Sequence, residues 1–347
     1  MPAPDPVPAA RPGKRAATPL RVVVTDPIIS RFAGRLTRGL DGHEWTFAAA
    51  AAAAERLAAI AAAEVVVCSH LSEQEAAVAA SARLVHVTGA GLGRVAISAL
   101  PAAAAGANTF HHARPIAEHV LMSVLALNRR LLASDRQLRS GSWRTIANDS
   151  SVPLHRTLDT MTLGVVGLGS IGAEVARLGA GLGMETLAVR SRPEAPLPDG
   201  VRPGWVGGTA DLPRLLAGSD AVVVTVPLSA ATEGLIGPAE LALMKPGAFL
   251  VNVARGPVVD QAALYAALSG GSLAGAAIDV WWGAPAPGRT PPADFPFAEL
   301  ENVILTPHYS GHARSTFERR ADDIAGNIAR LAEGRPLLNV VRSGSQQ

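Results

Sequence analysis

The sequence predicts an α/β fold in two domains, the second of them a parallel sheet covered by helices on both faces. Three observations carry that expectation. At 347 residues the chain exceeds the roughly 250 to 300 residues at which one hydrophobic core stops growing. Short, near-continuous apolar runs alternate with helical patterns in two separate stretches, which is how strands buried on both faces read. A glycine-rich turn sits directly between a strand and a helix of the second stretch.

The composition excludes several classes. With 48% apolar residues, 34 Gly and 26 Pro, the chain falls below the roughly 25 to 30% Gly plus Pro of low-complexity sequences. Lys14 and Lys245 are the only lysines among 31 basic side chains. The arginines are scattered rather than gathered on a face, which argues against a nucleic-acid partner. No apolar run reaches the ~18 residues of a membrane span, and Met1 to Pro19 lacks the compact apolar segment of a secretory signal, so no membrane partner and a cytoplasmic location are expected. Cys68 is the single cysteine; ending an apolar run, it reads as an inert buried thiol, and no disulfide within the chain is possible.

The elements follow in order. Arg21 to Thr25 is a β-branched run, followed by a mixed helical segment over Ser30 to Gly39. Glu64 to Cys68, Leu84 to Thr88 and Ala104 to Thr109 read as further strands, and the Ala-rich stretch Ala48 to Ala63 as a helix by propensity. A long helix is expected from Ala117 to Arg139, because Ile116, Val120, Val124 and Leu127 recur on one side. Ser140 to Arg156, broken by Gly141 and Pro153, reads as a connector or an arm. The second alternation places strands at Thr162 to Val166, Thr186 to Val189, Ala221 to Val226, Phe249 to Val251, Ala274 to Asp279 and Val303 to Thr306. A last amphipathic helix, Ala313 to Glu333, is long enough to return to the first domain.

The chemistry begins at Gly167-Leu168-Gly169-Ser170-Ile171-Gly172, which leaves a strand and opens the helical run Ala173 to Leu182. The first glycine permits the tight turn, the second lets backbone amides approach a pyrophosphate, and the third lets helix pack on strand. The helix N-terminus faces the phosphates. A dinucleotide site is therefore expected over Gly167, Gly169, Ser170, Ile171 and Gly172. An NAD site would place a carboxylate at the end of the next strand. Here that strand ends in Arg190-Ser191-Arg192, with no carboxylate before Glu194. Two guanidiniums and a hydroxyl match a 2′-phosphate, so NADP is the preferred cofactor and NAD the alternative.

This turn is the first of several segments that resemble a known family. Gly167 to Gly172, then Asn252-Val253-Ala254-Arg255-Gly256-Pro257-Val258-Val259-Asp260, then Ala277-Ile278-Asp279-Val280, then Asn302 to His308 are similar in order and spacing to the D-isomer-specific 2-hydroxyacid dehydrogenase family. Gly89-Ala90-Gly91 and Ile116-Ala117-Glu118-His119 resemble further segments of it. The resemblance implies a Rossmann-type doubly wound parallel sheet inserted in a second, smaller flavodoxin-like α/β substrate domain. The boundaries expected are a tail over residues 1–19, a substrate domain over 20–115 plus 313–341, and a dinucleotide domain over 116–312. It implies an oxidoreductase that moves hydride between NADP or NAD and a small 2-hydroxy or 2-oxo acid. Arg255 matches the arginine that binds and polarises the substrate, and His308 the histidine that passes a proton to or from its oxygen. The backbone amides of Ala90 and Gly91 match the segment that receives the substrate carboxylate. Val226, Pro227, Thr232 and Val253 match positions along the cofactor. Asp279 matches the carboxylate that orients the nicotinamide amide, a turn cap being the plainer reading.

One member of the family pattern is missing. The family places a Glu just before a proline after the Asp-Val pair, to keep the histidine protonated; here Ala284 precedes Pro285. An alanine stabilises no imidazolium, so His308 is expected to deprotonate more easily. Asp294, Glu299 and Glu301 follow as carboxylates that a fold could bring near. Two other functions stay open. Asp279-Val280-Trp281 and Ala284 to Pro287 resemble formate dehydrogenases of the superfamily, and hence formate- or phosphite-like oxidation without a proton relay. The impaired relay is also compatible with a dinucleotide-sensing corepressor. Trp281 and Trp282 are expected to pack more than to touch substrate, and Phe110, His111 and His112 to be loop residues. His119 beside Glu118 falls short of a metal site. The resemblance further implies a homodimer, with Ser140 to Arg156 as its exchanged arm.

Overall fold

A computed structural model describes residues 18–284 and 291–344. Most of the expected tail, and Pro285 to Pro287 of the formate-like stretch, lie outside the described residues. The strands run in chain order as β1 (Arg21–Val24), β2 (Glu44–Phe47), β3 (Val65–Cys68), β4 (Leu84–Val87), β5 (Ala105–Ala107), β6 (Thr162–Val166), β7 (Glu185–Val189), β8 (Trp205–Gly207), β9 (Ala221–Val224), β10 (Phe249–Asn252), β11 (Gly275–Ile278), β12 (Val303–Leu305) and β13 (Val340–Arg342). They form two sheets in two compact units, one of residues 18–111 and 314–344, the other of residues 112–313.

The first unit holds the order β13-β5-β4-β3-β1-β2, with β13 antiparallel to β5 and the other pairs parallel. Side chains alternate across the sheet. Val22, Val24, Val65, Val67 and Leu84 pack on Phe317, Ala321, Ile324 and Ile328 of the helix Arg314–Ala332. Val23, Val66, Val85 and Val87 pack on the other face with Ile60 and Ala76. The returning helix thus supplies much of one face of this core. Cys68 is fully buried, and burial pushes its thiol up to about 12.

The second unit is a seven-stranded parallel sheet in the order β12-β11-β10-β9-β6-β7-β8, a Rossmann-type doubly wound sheet whose order reverses between β6 and β9. Leu163, Val165, Val223 and Val251 face the helices Ala113–Asn128 and Ser170–Gly181, while Val166, Val222, Val224 and Leu250 face Leu212–Gly218 and Gln261–Ser269.

Several elements differ from the sequence expectation. The Ala-rich helix spans only Ala53–Ala62, because Ala48 to Ala52 carry the chain away from β2, a four-residue edge strand the sequence reading did not mark. The long helix is two, Ala113–Asn128 and Leu131–Arg139, parted where Arg130 takes the left-handed φ of 49°. The first of them starts earlier than Ala117 since Pro115 is tolerated in an opening turn. β8 and β13 were not anticipated; both are three-residue edge strands, too short to show a period.

Candidate active site

The glycine turn leaves β6 where the sheet order reverses. Gly167 has φ 101°, donates its N–H to Val189 O at 2.9 Å and accepts from Thr225 Oγ1 at 2.6 Å. A Cβ there would meet the Val226 side chain at 2.7 Å, and one on Gly172 would meet Gly167 O at 2.1 Å. Only glycine fits either position. Gly169 caps the helix Ser170–Gly181, and nothing lies within 4 Å of where its Cβ would stand. The exposed amide end of that helix opens on a cavity of about 600 Å³ lined by the Val166–Gly169 turn, Arg190 to Arg192, Val226, Pro227 and Thr232. These features fit a dinucleotide: amides and helix dipole for a pyrophosphate, with open space beside them.

Within this cavity the three residues after β7 take different parts. Arg190 turns to its own loop, its Nη atoms donating to the carbonyls of Pro193, Ala195 and Pro196. Its Nε is buried without a hydrogen-bond partner among the described residues. Ser191 and Arg192 are exposed on the cavity rim. Thr232 donates to Pro227 O at 2.6 Å and accepts from Ser229 N–H at 2.9 Å, closing the loop after β9. Ile171 is half-buried against the core, and Val253 is buried in it, offering the site only backbone.

Arg255, Asp279 and His308 follow β10, β11 and β12 at the carboxyl edge of the same sheet. Asn252 braces the first loop, donating to Arg255 O at 3.1 Å and accepting from Ala254 N–H at 3.0 Å. Arg255 Nη1 donates to Ala254 O at 2.6 Å. A Cβ on Gly256 would fall 2.2 Å from Trp281 O, so glycine lets this loop lie against the chain leaving β11.

His308 is exposed and takes the left-handed φ of 56°, a conformation that costs a non-glycine residue energy unless its surroundings impose it. Asp279 and Trp281 fix the residues that flank it. The buried Asp279 accepts from Thr306 Oγ1 at 2.6 Å and Tyr309 N–H at 3.1 Å on one oxygen, and from Ser310 N–H at 3.2 Å on the other. Trp281 Nε1 donates to Thr306 O at 3.0 Å. Both residues therefore grip the turn on either side of His308, a role their neighbours in sequence do not reveal. Trp282 donates to Val259 O at 2.8 Å and stacks on Phe297 with ring centroids 5.4 Å apart. Beneath the turn, buried His119 meets Tyr309 edge-on at 5.6 Å; burial lowers its pKa against the opposing pull of Asp279. Ala284 is exposed and offers only a methyl group. Glu299 and Glu301 precede β12, at the end of the strand opposite His308.

In the first unit, Gly89, Ala90 and Gly91 form the turn after β4, where Asn108 Nδ2 donates to Ala90 O at 3.0 Å. His111 Nε2 lies 2.8 Å from Asp323 Oδ2, which also accepts from Thr109 Oγ1 at 2.5 Å.

The family model for the D-isomer specific 2-hydroxyacid dehydrogenase, NAD binding domain, matches residues 121–310. A D-3-phosphoglycerate dehydrogenase of Archaeoglobus fulgidus is 36% identical over 226 residues, 65% of this chain and 40% of that enzyme. A glyoxylate reductase of Korarchaeum cryptofilum is 37% identical over 225 residues, 65% of each chain. The chain thus spans less than two thirds of the length of these two curated relatives. Among solved structures, a D-isomer specific 2-hydroxyacid dehydrogenase from Xanthobacter autotrophicus Py2, in complex with NADPH and MES, is 30% identical with a TM-score of 0.73, covering 93% of this chain and 98% of that one. A family protein from Aeromonas salmonicida, at 24% identity and TM-score 0.78 over 92% of this chain and 98% of its own, shares the fold. The glycine turn and the matched domain together place this chain in the D-isomer specific 2-hydroxyacid dehydrogenase family.

Proposed function

We propose that the protein is an NADP-preferring reductase of a small 2-oxo acid, working between that acid and its D-2-hydroxy acid. The observation that carries this reading is the placement of Arg255 and His308 on the carboxyl edge of the sheet that holds the glycine turn. The unit of residues 112–313 holds the dinucleotide, and that of 18–111 with 314–344 binds substrate. Gly167 to Gly172 take the pyrophosphate; Ser191 and Arg192 take the 2′-phosphate, on a loop whose carbonyls Arg190 gathers.

When bound, the dinucleotide supplies the hydride. The amides of Ala90 and Gly91 receive the substrate carboxylate. The Arg255 guanidinium donates to the carbonyl oxygen and offsets the negative charge that grows there. His308 gives its proton to that oxygen, held in reach by Asp279 and Trp281. Ala284 stands where the family carries a carboxylate and is an exposed residue with only a methyl group to offer.

Leu131, Leu138, Trp143, Ile146 and Leu154 are exposed, Trp143 by 73% and Leu154 by 82%. An apolar set of this kind fits burial in a homodimer, acting in the cytoplasm; sedimentation of the purified protein checks the assembly.

The functional test is loss of absorbance at 340 nm from NADPH with glyoxylate, hydroxypyruvate and larger 2-oxo acids. Turnover that falls by several orders in Arg255→Ala supports the reading. NADPH binding without turnover across the panel overturns it in favour of a dinucleotide sensor, and formate- or phosphite-dependent reduction of NADP⁺ overturns it in favour of oxidation without a relay.

A further inference from the structure

Resting on the 2-oxo acid reading above, we infer that Asn108 is a positioning residue for the substrate: by holding the Ala90 carbonyl inward it aims the Gly91 amide at the substrate carboxylate, and the strand β13 fixes Asn108 in turn.

The placement follows from the first sheet. β4 and β5 are parallel neighbours, with Leu84 opposite Ala105 and His86 opposite Ala107. The residues that leave their carboxyl ends, Thr88 to Gly91 and Asn108, therefore come side by side, on the edge where open α/β sheets bind ligands. Asn108 is 4% exposed and donates from Nδ2 to Ala90 O at 3.0 Å. The Ala90 carbonyl thus points at a buried group. In a trans peptide the following N–H points the opposite way, so the Gly91 N–H is turned from the interior, and Gly91 is exposed. One side-chain bond sets the direction of the amide.

The core gains nothing from an asparagine here. Its Oδ1 is buried without a hydrogen-bond partner among the described residues, and a stranded buried acceptor costs stability. Exchanging the two ends of the side-chain amide brings no relief, since Oδ1 would then face Ala90 O and Nδ2 would be stranded instead. A leucine of similar size would leave no acceptor stranded at this position. Ala90 is half-buried, so beside such a leucine its carbonyl turns to water and carries the Gly91 amide with it. The residue type therefore answers to the turn.

The backbone of Asn108 is held from the other side. Its N–H donates to Asn339 O at 3.1 Å, just before β13, which pairs antiparallel with β5. Asn339 takes the left-handed φ of 54°. The chain on either side of it is secured. Asn327 Nδ2 donates to Leu338 O at 3.0 Å and Asn327 Oδ1 accepts from Leu338 N–H at 2.9 Å, while Arg342 donates to the carbonyls of Leu100, Pro101 and Ala104. The last strand of the sheet thus reaches the substrate turn through one asparagine.

The test is steady-state reduction of glyoxylate and hydroxypyruvate by NADPH. In Asn108→Leu the Gly91 amide loses its aim at a charged acceptor, a bond whose loss weakens binding about 10- to 100-fold. KM should rise by that factor, with kcat and the Kd of NADPH within about threefold of wild type, the pattern of lost ground-state binding. Asn108→Asp, which has no donor, should do the same. Asn339→Pro, which cannot take a positive φ, should raise KM alike, whereas the conservative Asn339→Gly, which takes it freely, should not; this pair reads the same dependence with Asn108 itself intact. A KM within threefold of wild type in Asn108→Leu, or a loss shared equally by NADPH binding, overturns the inference and leaves the reductase reading standing. Calorimetry of the NADPH complex with oxamate, a 2-oxo acid mimic that accepts no hydride, reads binding without turnover. Oxamate that binds wild type and is lost from Asn108→Leu supports the inference even if no 2-oxo acid is reduced, an outcome that would sink the reductase reading alone. Oxamate bound equally by both proteins, or by neither, overturns the inference.

Discussion

Asp279→Asn separates two roles for one carboxylate. The side chain keeps its shape, but one acceptor oxygen becomes an amide N–H. Whichever way the amide lies, at least one of the three donors on the His308 turn, Thr306 Oγ1, Tyr309 N–H and Ser310 N–H, then faces a donor. Losing one bond to a charged acceptor and stranding a buried N–H costs about 2 to 3 kcal/mol. In a unit of roughly 200 residues that lowers Tm by about 4 to 12 °C. His308 is then held less firmly at its left-handed φ, and a loss of ~2 kcal/mol in the productive turn lowers kcat/KM about 30-fold. Differential scanning fluorimetry, steady-state reduction kinetics and a fluorescence titration with NADPH measure the three quantities separately. The expected result is a lower Tm and kcat/KM with cofactor Kd within about threefold of wild type. A Tm unchanged within 1 °C together with a Kd raised tenfold would refute the turn-holding account and return Asp279 to the nicotinamide amide.

Three further outcomes are expected. Arg192→Asp should weaken NADP binding far more than NAD binding in paired titrations, and equal losses would remove Arg192 from the 2′-phosphate. Ala284→Glu should extend reduction to higher pH by stabilising the His308 cation; a superimposable pH-rate profile would mean that His308 already has an equivalent partner. His86 is fully buried, with Asn327 Nδ2 3.0 Å from its ring, and burial pulls its pKa from 6.5 to about 4. A histidine depressed in the folded state charges more readily when unfolded, so its stabilisation is complete above pH 6.5 and lost as pH falls toward 4, by about 3 kcal/mol. Urea midpoints across that window should drop in wild type and flatten in His86→Leu, and an equal drop in both would acquit His86.

The sequence showed most plainly what depends on neighbours along the chain. The six strands of the second alternation carry β-branched or apolar runs, and the glycines at 167 and 172 are demanded by contacts within their own turn. What stayed hidden depends on partners far away. Nothing beside Asp279 announces that its oxygens hold a turn 27 to 31 residues later, and Trp281 reveals its bond to Thr306 O only once β11 and β12 lie side by side. Arg190 is the instructive case. Its charge and position suit a phosphate, yet three carbonyls of the loop it precedes claim it. Short edge strands failed for a simpler reason: three residues hold one and a half periods of an alternation.

The first sheet is roofed by a helix that the chain makes only after the whole second unit. Phe317, Ala321, Ile324 and Ile328 cover Val22, Val24, Val65 and Val67, and β13 pairs with β5 across more than 230 residues of sequence. During translation the unit of residues 112–313 therefore emerges complete while its predecessor waits with one apolar face bare. A premature stop near residue 313 would leave a finished nucleotide fold tethered to an unfinished, sticky one, a product for chaperones and proteases rather than a smaller enzyme.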